Sequence, residues 1–158
     1  MAIKQKSLFK KLAVSIMLLV VMVSSTAALS SYAYYDNNIS YSFKIVANGK
    51  VSKFDNKEYR NTTDVNNAWK VNLLRSTESP NGYKTSTSFH LGVYNPNGIN
   101  PYGSESYSVQ METGDHYFAA YANASKEYVY LYGNDSMSTN DAYSVSGYWD
   151  EETGKSPD

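Results

Sequence analysis

Cysteine is absent from the 158-residue chain, which removes disulfides, thiolate metal sites and thiol nucleophiles together. Histidine occurs only at His90 and His116, and neither belongs to a close-spaced pair of the kind that ligates zinc. A serine nucleophile on a G-x-S-x-G elbow is also missing: Gly103-Ser104-Glu105-Ser106-Tyr107 lacks the second glycine. No stretch fits the calcium loop D-x-[DN]-x-[DN]-G, because Asp135-Ser136-Met137-Ser138-Thr139 puts Met and Thr where ligands belong. Beyond the first 35 residues apolar side chains never recur at helical spacing, and no helix start is evident. These gaps leave no expected catalytic residue, metal or cofactor.

The N-terminal segment accounts for the one long apolar run. A basic start (Lys4, Lys6, Lys10, Lys11) precedes LAVSIMLLVVMV over Leu12 to Val23, and a small polar region ends in Ser31-Tyr32-Ala33. That order is a secretory signal peptide over residues 1–33, cut after Ala33, with Ala27 and Ala28 as alternative sites. An uncleaved anchor is the rival, since Leu12 to Tyr35 carries no charge. Cleavage leaves ten basic residues against 15 acidic ones, a net charge of −5 where the whole chain is −1. Such a balance offers no basic stripe for nucleic acid and little attraction to anionic lipid. The protein is therefore expected outside the cell, with no membrane association once the leader is gone.

Tyrosine is the excess, at 16 residues, of which only Tyr32 lies in the leader. It suits half-exposed strand positions and pairs with other rings across strands. Alternation marks the strands: Ile39 to Ile45; Val51 to Phe54 after an Asn48-Gly49 turn; Trp69 to Leu73; Tyr83 to Val93; Tyr107 to Met111; and Ala142 to Trp149. The segment His116 to Gly133 is expected as a central hairpin, Tyr117 to Ala122 and Tyr128 to Tyr132, because large side chains on both faces call for cover on both. Asp55 to Asn67 loses its period, apart from a possible edge strand at Tyr59 to Thr63, and Asn95 to Ser104, with two prolines and two glycines, is a loop. The expected fold is all-β, an antiparallel sandwich of seven or eight strands over 34–153, with 154–158 a disordered tail.

Surface contacts are expected at Tyr94 and Tyr102 on the long loop and at Trp149 near the tail. Glu78, Glu105, Glu112 and Asp115 are the carboxylates that could pair for glycoside hydrolysis, although solvated acids at strand ends are commonplace. Two segments, Ala68 to Glu78 and Val145 to Thr153, resemble a family of small secreted proteins of Gram-positive bacteria with no assigned function. The likeness extends from Tyr41 to Thr153. More distantly, the layout is similar to the lactococcin 972 type of bacteriocin, which implies a small cysteine-free sandwich acting at the cell envelope. No functional residue carries over from either. The expected function is binding, without catalysis, to a cell-wall glycan or another envelope component. An envelope-directed toxin, a matrix component and a glycan hydrolase are the alternatives.

Overall fold

The computed structural model describes residues 36–78, 85–135 and 140–158, so the expected signal peptide over residues 1–33 lies outside the described residues. The described residues form eight strands: β1 (Ile39–Ile45), β2 (Ser52–Arg60), β3 (Trp69–Ser76), β4 (Ser86–Val93), β5 (Tyr107–Gln110), β6 (His116–Phe118), β7 (Glu127–Asp135) and β8 (Tyr143–Asp150). They pair antiparallel in two four-stranded sheets, ordered β1-β8-β3-β6 and β2-β7-β4-β5. The all-β sandwich expected from the alternation is the fold.

Period-2 patterning explains which side each sheet buries. In the first sheet Tyr41, Ile45, Trp69, Val71, Leu73, Val145 and Trp149 point inward and are buried. In the second, Phe89, Leu91 and Val93 of β4 pair with Gly133, Leu131 and Val129 of β7, and these inward positions complete the core. Ring contacts stitch the layers: Tyr41 lies 5.7 Å from Phe89, Trp69 lies 6.2 Å from Tyr107, and Phe118 stacks on Tyr107 at 4.0 Å.

Two polar side chains are buried where the sandwich closes. Arg60, at the end of β2, donates to the carbonyls of Glu151 (2.5 Å), Asp64 (2.9 Å) and Asn67 (2.6 Å), tying the 61–68 connection to the chain beyond β8. A planar, permanently charged donor fork suits three carbonyls arriving from different segments. Lys70 of β3 is held by Asp36, with Asn38 at 2.8 Å and Asp115 at 3.9 Å.

The structure corrects several expectations. The hairpin over His116 to Gly133 does not form: Tyr117 belongs to the short β6 at an edge of the first sheet, while β7 is interior to the second. A single 3-10 turn at Ala122–Ala124 carries the chain across. Asn48 and Gly49 do take positive φ (64° and 66°), but β1 and β2 lie in different sheets, so the turn is a crossing and not a hairpin loop. β2 runs unbroken from Ser52 to Arg60 through the stretch that lost its period, because a bulge between Lys53 and Lys57 breaks the alternation. Residues 154–158 are not a loose tail. Lys155 O accepts from Ala68 N (2.8 Å), Gly154 N donates to Asn67 Oδ1 (2.7 Å), and Asp158 N donates to Tyr117 O (2.9 Å).

Gly147 of β8 tests the packing most sharply. A Cβ there would fall 1.8 Å from the Asn72 carbonyl oxygen and 2.9 Å from Tyr41 Oη, which itself donates to that carbonyl. Backbone meets backbone, so no rotamer change relieves the clash. Gly147→Ala is expected to destabilise the fold by about 2–3 kcal/mol, read as a lower urea midpoint with the slope retained. An unchanged midpoint would show that β3 and β8 are not packed this closely.

Candidate functional site

The outward positions of the two sheets differ in kind. On the first sheet they are mostly Ser40, Ser42, Lys44, Ser144 and Ser146, with Tyr148 the lone ring on β8. On the second they gather rings, because β7 alternates Val129 and Leu131 inward with Tyr128, Tyr130 and Tyr132 outward. Tyr59 of β2 faces Tyr128 directly, with ring centres 5.1 Å apart. The series continues through Tyr94–Tyr130 (6.0 Å), Tyr130–Tyr132 (6.4 Å), Tyr132–His90 (5.2 Å, planes 7° apart) and His90–Tyr102 (4.5 Å). Lys57 Nζ spans the gap in that chain, 3.9 Å from the Tyr94 ring centre and 4.5 Å from that of Tyr128. Lys53 Nζ lies 4.2 Å over Tyr130.

Local geometry holds this face rigid. Gly92 lets the Tyr132 ring lie down on the strand, for a Cβ at that position would meet a ring carbon at 2.2 Å. The long loop is pinned at both ends: Tyr94 N donates to Tyr128 O (2.7 Å), Val93 N to Pro101 O (2.8 Å) and Gly103 N to Leu91 O (2.7 Å). Asn95 N donates to Asn100 Oδ1 (2.8 Å), and Asn100 Nδ2 donates to Tyr132 Oη (2.6 Å), so the loop clasps the aromatic row. Four rings remain open to solvent, Tyr59 at 42%, Tyr94 at 36%, Tyr102 at 55% and Tyr128 at 44%. Exposed rings gathered on one face make it the candidate contact surface.

Of the expected contacts, Tyr94 and Tyr102 stand on this face and Trp149 does not. Trp149 is 0% exposed in the core, since the alternation of β8 turns it inward with Val145, and it cannot be a surface contact. Sequence reasoning passed over Tyr59, Tyr128, Tyr130 and His90. Their signal in the sequence is the period-2 spacing of Tyr128, Tyr130 and Tyr132, which fits a strand covered on both faces equally well. His90 points outward too, yet it is only 4% exposed because Tyr102 and Tyr132 cover it.

Three of the four candidate carboxylates have identified neighbours, each a different one. Glu78 lies beside Asp135, and burial first, then the charge of Asp135, raises it above the usual carboxylate range. Glu105 accepts from Tyr121 Oη, Glu112 sits in a turn with φ 62°, and Asp115 accepts from Asn72 Nδ2 at 2.7 Å. A cleft of about 190 Å³ is lined by Thr62, Asp64, Asn66, Asn67, Gly154, Lys155 and Ser156, none of them among the four. Among the described residues no group of three His, Asp or Glu side chains is placed to hold a metal. His116 Nε2 instead meets Thr113 Oγ1 at 2.7 Å.

A second polar cluster lies across the molecule's other sheet. Asp36 binds Lys70, and Lys155 Nζ lies 2.5 Å from Asp36 and 2.5 Å from Tyr117 Oη. Burial opposes the charge on Asp36, but hydrogen bonds from Lys155 and Lys70 outweigh it and hold the carboxyl below its ordinary value. Asp150, buried beside this cluster, is pushed up to about 6, chiefly by desolvation. Every charged partner here is engaged within the fold, which marks the cluster as structural.

Fold and face together define an antiparallel β-sandwich presenting an aromatic outer surface. The family model described as "Protein of unknown function (DUF2712)" matches residues 29–153, and the chain belongs to that family. No curated protein and no solved structure matches the chain.

Two outcomes are expected from this geometry. Burial lowers His90 from 6.5 to about 4, so between those values the unfolded chain takes up a proton that the folded chain refuses. The contribution of His90 to stability is thus full above about 6.5 and is lost as pH falls toward about 4. His90→Phe keeps a ring in the stack and should flatten that part of the stability profile relative to the parent; parallel profiles would contradict the burial. Asp36→Ala should cost about 2–3 kcal/mol in urea unfolding by leaving the Lys70 ammonium under-compensated, whereas Lys70→Met should cost much less. Equal losses would show that the pair, and not the stranded charge, carries the energy.

Proposed function

We propose that this is an exported, non-enzymatic binding protein whose tyrosine face holds an extended glycan at or near the bacterial surface. The observation that carries the proposal is the series of rings from Tyr59 to Tyr102, joined by Lys57 between Tyr128 and Tyr94, with four of its rings open to water. A sugar ring has an apolar C–H face rimmed by hydroxyls. A tyrosine answers both, with a flat apolar ring and a phenol that donates and accepts. Tyrosine also brings large contact area at small cost in side-chain entropy, and rings already locked by neighbours lose still less on binding. A row of rings along a strand direction suits a chain of sugars better than a single small molecule.

The location belongs to the same proposal and is supported by the leader pattern of residues 1–33. A hydrolase finds less support, because Glu78, Glu105 and Asp115 each engage different neighbours and the cleft beside Thr62 and Lys155 is lined by none of the four candidates. Protein recovered from culture medium is expected to begin at Tyr34 on N-terminal sequencing. Intact chain confined to the cytosol would contradict export. In sedimentation with insoluble cell-wall glycan, Tyr59→Ala combined with Tyr128→Ala should weaken binding about tenfold or more, with circular dichroism unchanged. Equal retention of parent and variant would remove this face from the function.

A further inference from the structure

We infer that the glycan taken by the tyrosine face is an acidic polysaccharide, and that Lys53 and Lys57 read its negative groups. The inference rests on the glycan-binding reading and adds the ligand's charge. Its ground is how charge is distributed. The chain is net negative, yet at every laddered outward position of the second sheet there is a neutral residue or a lysine, and no carboxylate. Asp55, in the β2 bulge, lies alongside, 3.6 Å from Lys53 Nζ and 93% exposed. Among the described residues Lys57 has no carboxylate within 4 Å.

The bulge brings the two lysines together. Lys53 pairs with Tyr132 and Lys57 with Tyr130, so four residues of β2 span two of β7. The lysines therefore stand about 7 Å apart along the ladder, where a regular strand would separate them by about 13 Å. The fold places a ring face beneath each ammonium, with Asp55 beside Lys53 and, among the described residues, no carboxylate within 4 Å of Lys57. Resting on a ring fixes each charge in position while leaving its outer side open to an anion. Lysine is a compact point charge, suited to anionic groups spaced along a flexible polymer, whereas planar bidentate recognition would call for arginine.

A sugar polymer fits this face better than an anionic lipid surface does. Attraction to an anionic bilayer takes a cluster of about four to eight basic residues, where this face offers two lysines. Here the lysines are flanked by Tyr59, Tyr94, Tyr128 and Tyr130, with Ser86, Ser88 and Ser108 beyond them. Salt should weaken the charge-dependent part of binding and leave the ring contacts in place.

Affinity electrophoresis of the protein in gels containing polygalacturonate, with neutral dextran gels and phosphatidylglycerol vesicle flotation alongside, tests the inference. Polygalacturonate is expected to retard the protein, and raising salt from about 50 mM to about 500 mM should weaken that retardation about tenfold. Lys53→Ala with Lys57→Ala should lose about tenfold in affinity for polygalacturonate, and the Lys53→Arg, Lys57→Arg pair should largely restore it. Equal affinity for dextran and polygalacturonate, with no effect of the lysine variants, would overturn the acidic preference while leaving the glycan reading standing. Failure to bind either polymer would overturn both. Flotation with vesicles in place of retardation by polygalacturonate would replace the polysaccharide with a lipid surface.

Discussion

The burial of Trp69 and Trp149 between the sheets is the constraint on which the sandwich depends. With no disulfide available, cohesion between the layers comes from side chains meeting across the interior, and these are its two largest. Their strands, β3 and β8, are paired at the middle of the first sheet: Trp149 is flanked in the ladder by Ile39 and Val71, and Trp69 pairs with Phe118. Arg60 and Lys70 then act at the margin. Each draws in a segment outside the strands, one the 61–68 connection, the other residues 36–38, and so closes the ends without a covalent link.

The aromatic face follows from the same alternation that builds the core. β7 must supply Val129 and Leu131 inward to meet β4, and whatever lies between them is turned outward. Those positions are tyrosines, and β7 is central, so their rings are fed by neighbours on both sides: Tyr59 and the lysines from β2, His90 and the flat track of Gly92 from β4. The loop from Tyr94 to Gly103 then folds back along the row and adds two more rings. A surface made this way is rigid because its members are strand residues or are bonded to strands. It is suited to a ligand that accommodates itself to the protein.

Much of the architecture was legible because burial on one side leaves a direct mark. Tyr41, Phe43 and Ile45, or Phe89, Leu91 and Val93, repeat at period two, and the strands and the sandwich follow. Pairing partners were not legible. Asn48-Gly49 has the dihedrals of a hairpin turn, but which sheet receives the next strand is decided by distant residues. The aromatic run from His116 to Gly133 misled for a related reason: rings on both faces of β7 look the same in sequence whether the second face is covered by another layer or forms a surface of its own. Trp149 misled through its place near the charged tail, while its parity with Val145 gave the correct side. The order in residues 154–158 rests on hydrogen bonds to Ala68, Asn67 and Tyr117, far away in the chain, and left no local trace.

The most direct test of the account is a titration of tyrosine ring signals by NMR with a soluble oligosaccharide from the cell wall. Shifts are predicted at Tyr59, Tyr94, Tyr102 and Tyr128, with Tyr148 on the opposite sheet unmoved. Shifts confined to Tyr148, or to backbone signals lining the Thr62–Asn67 cleft, with those four rings silent, would contradict it.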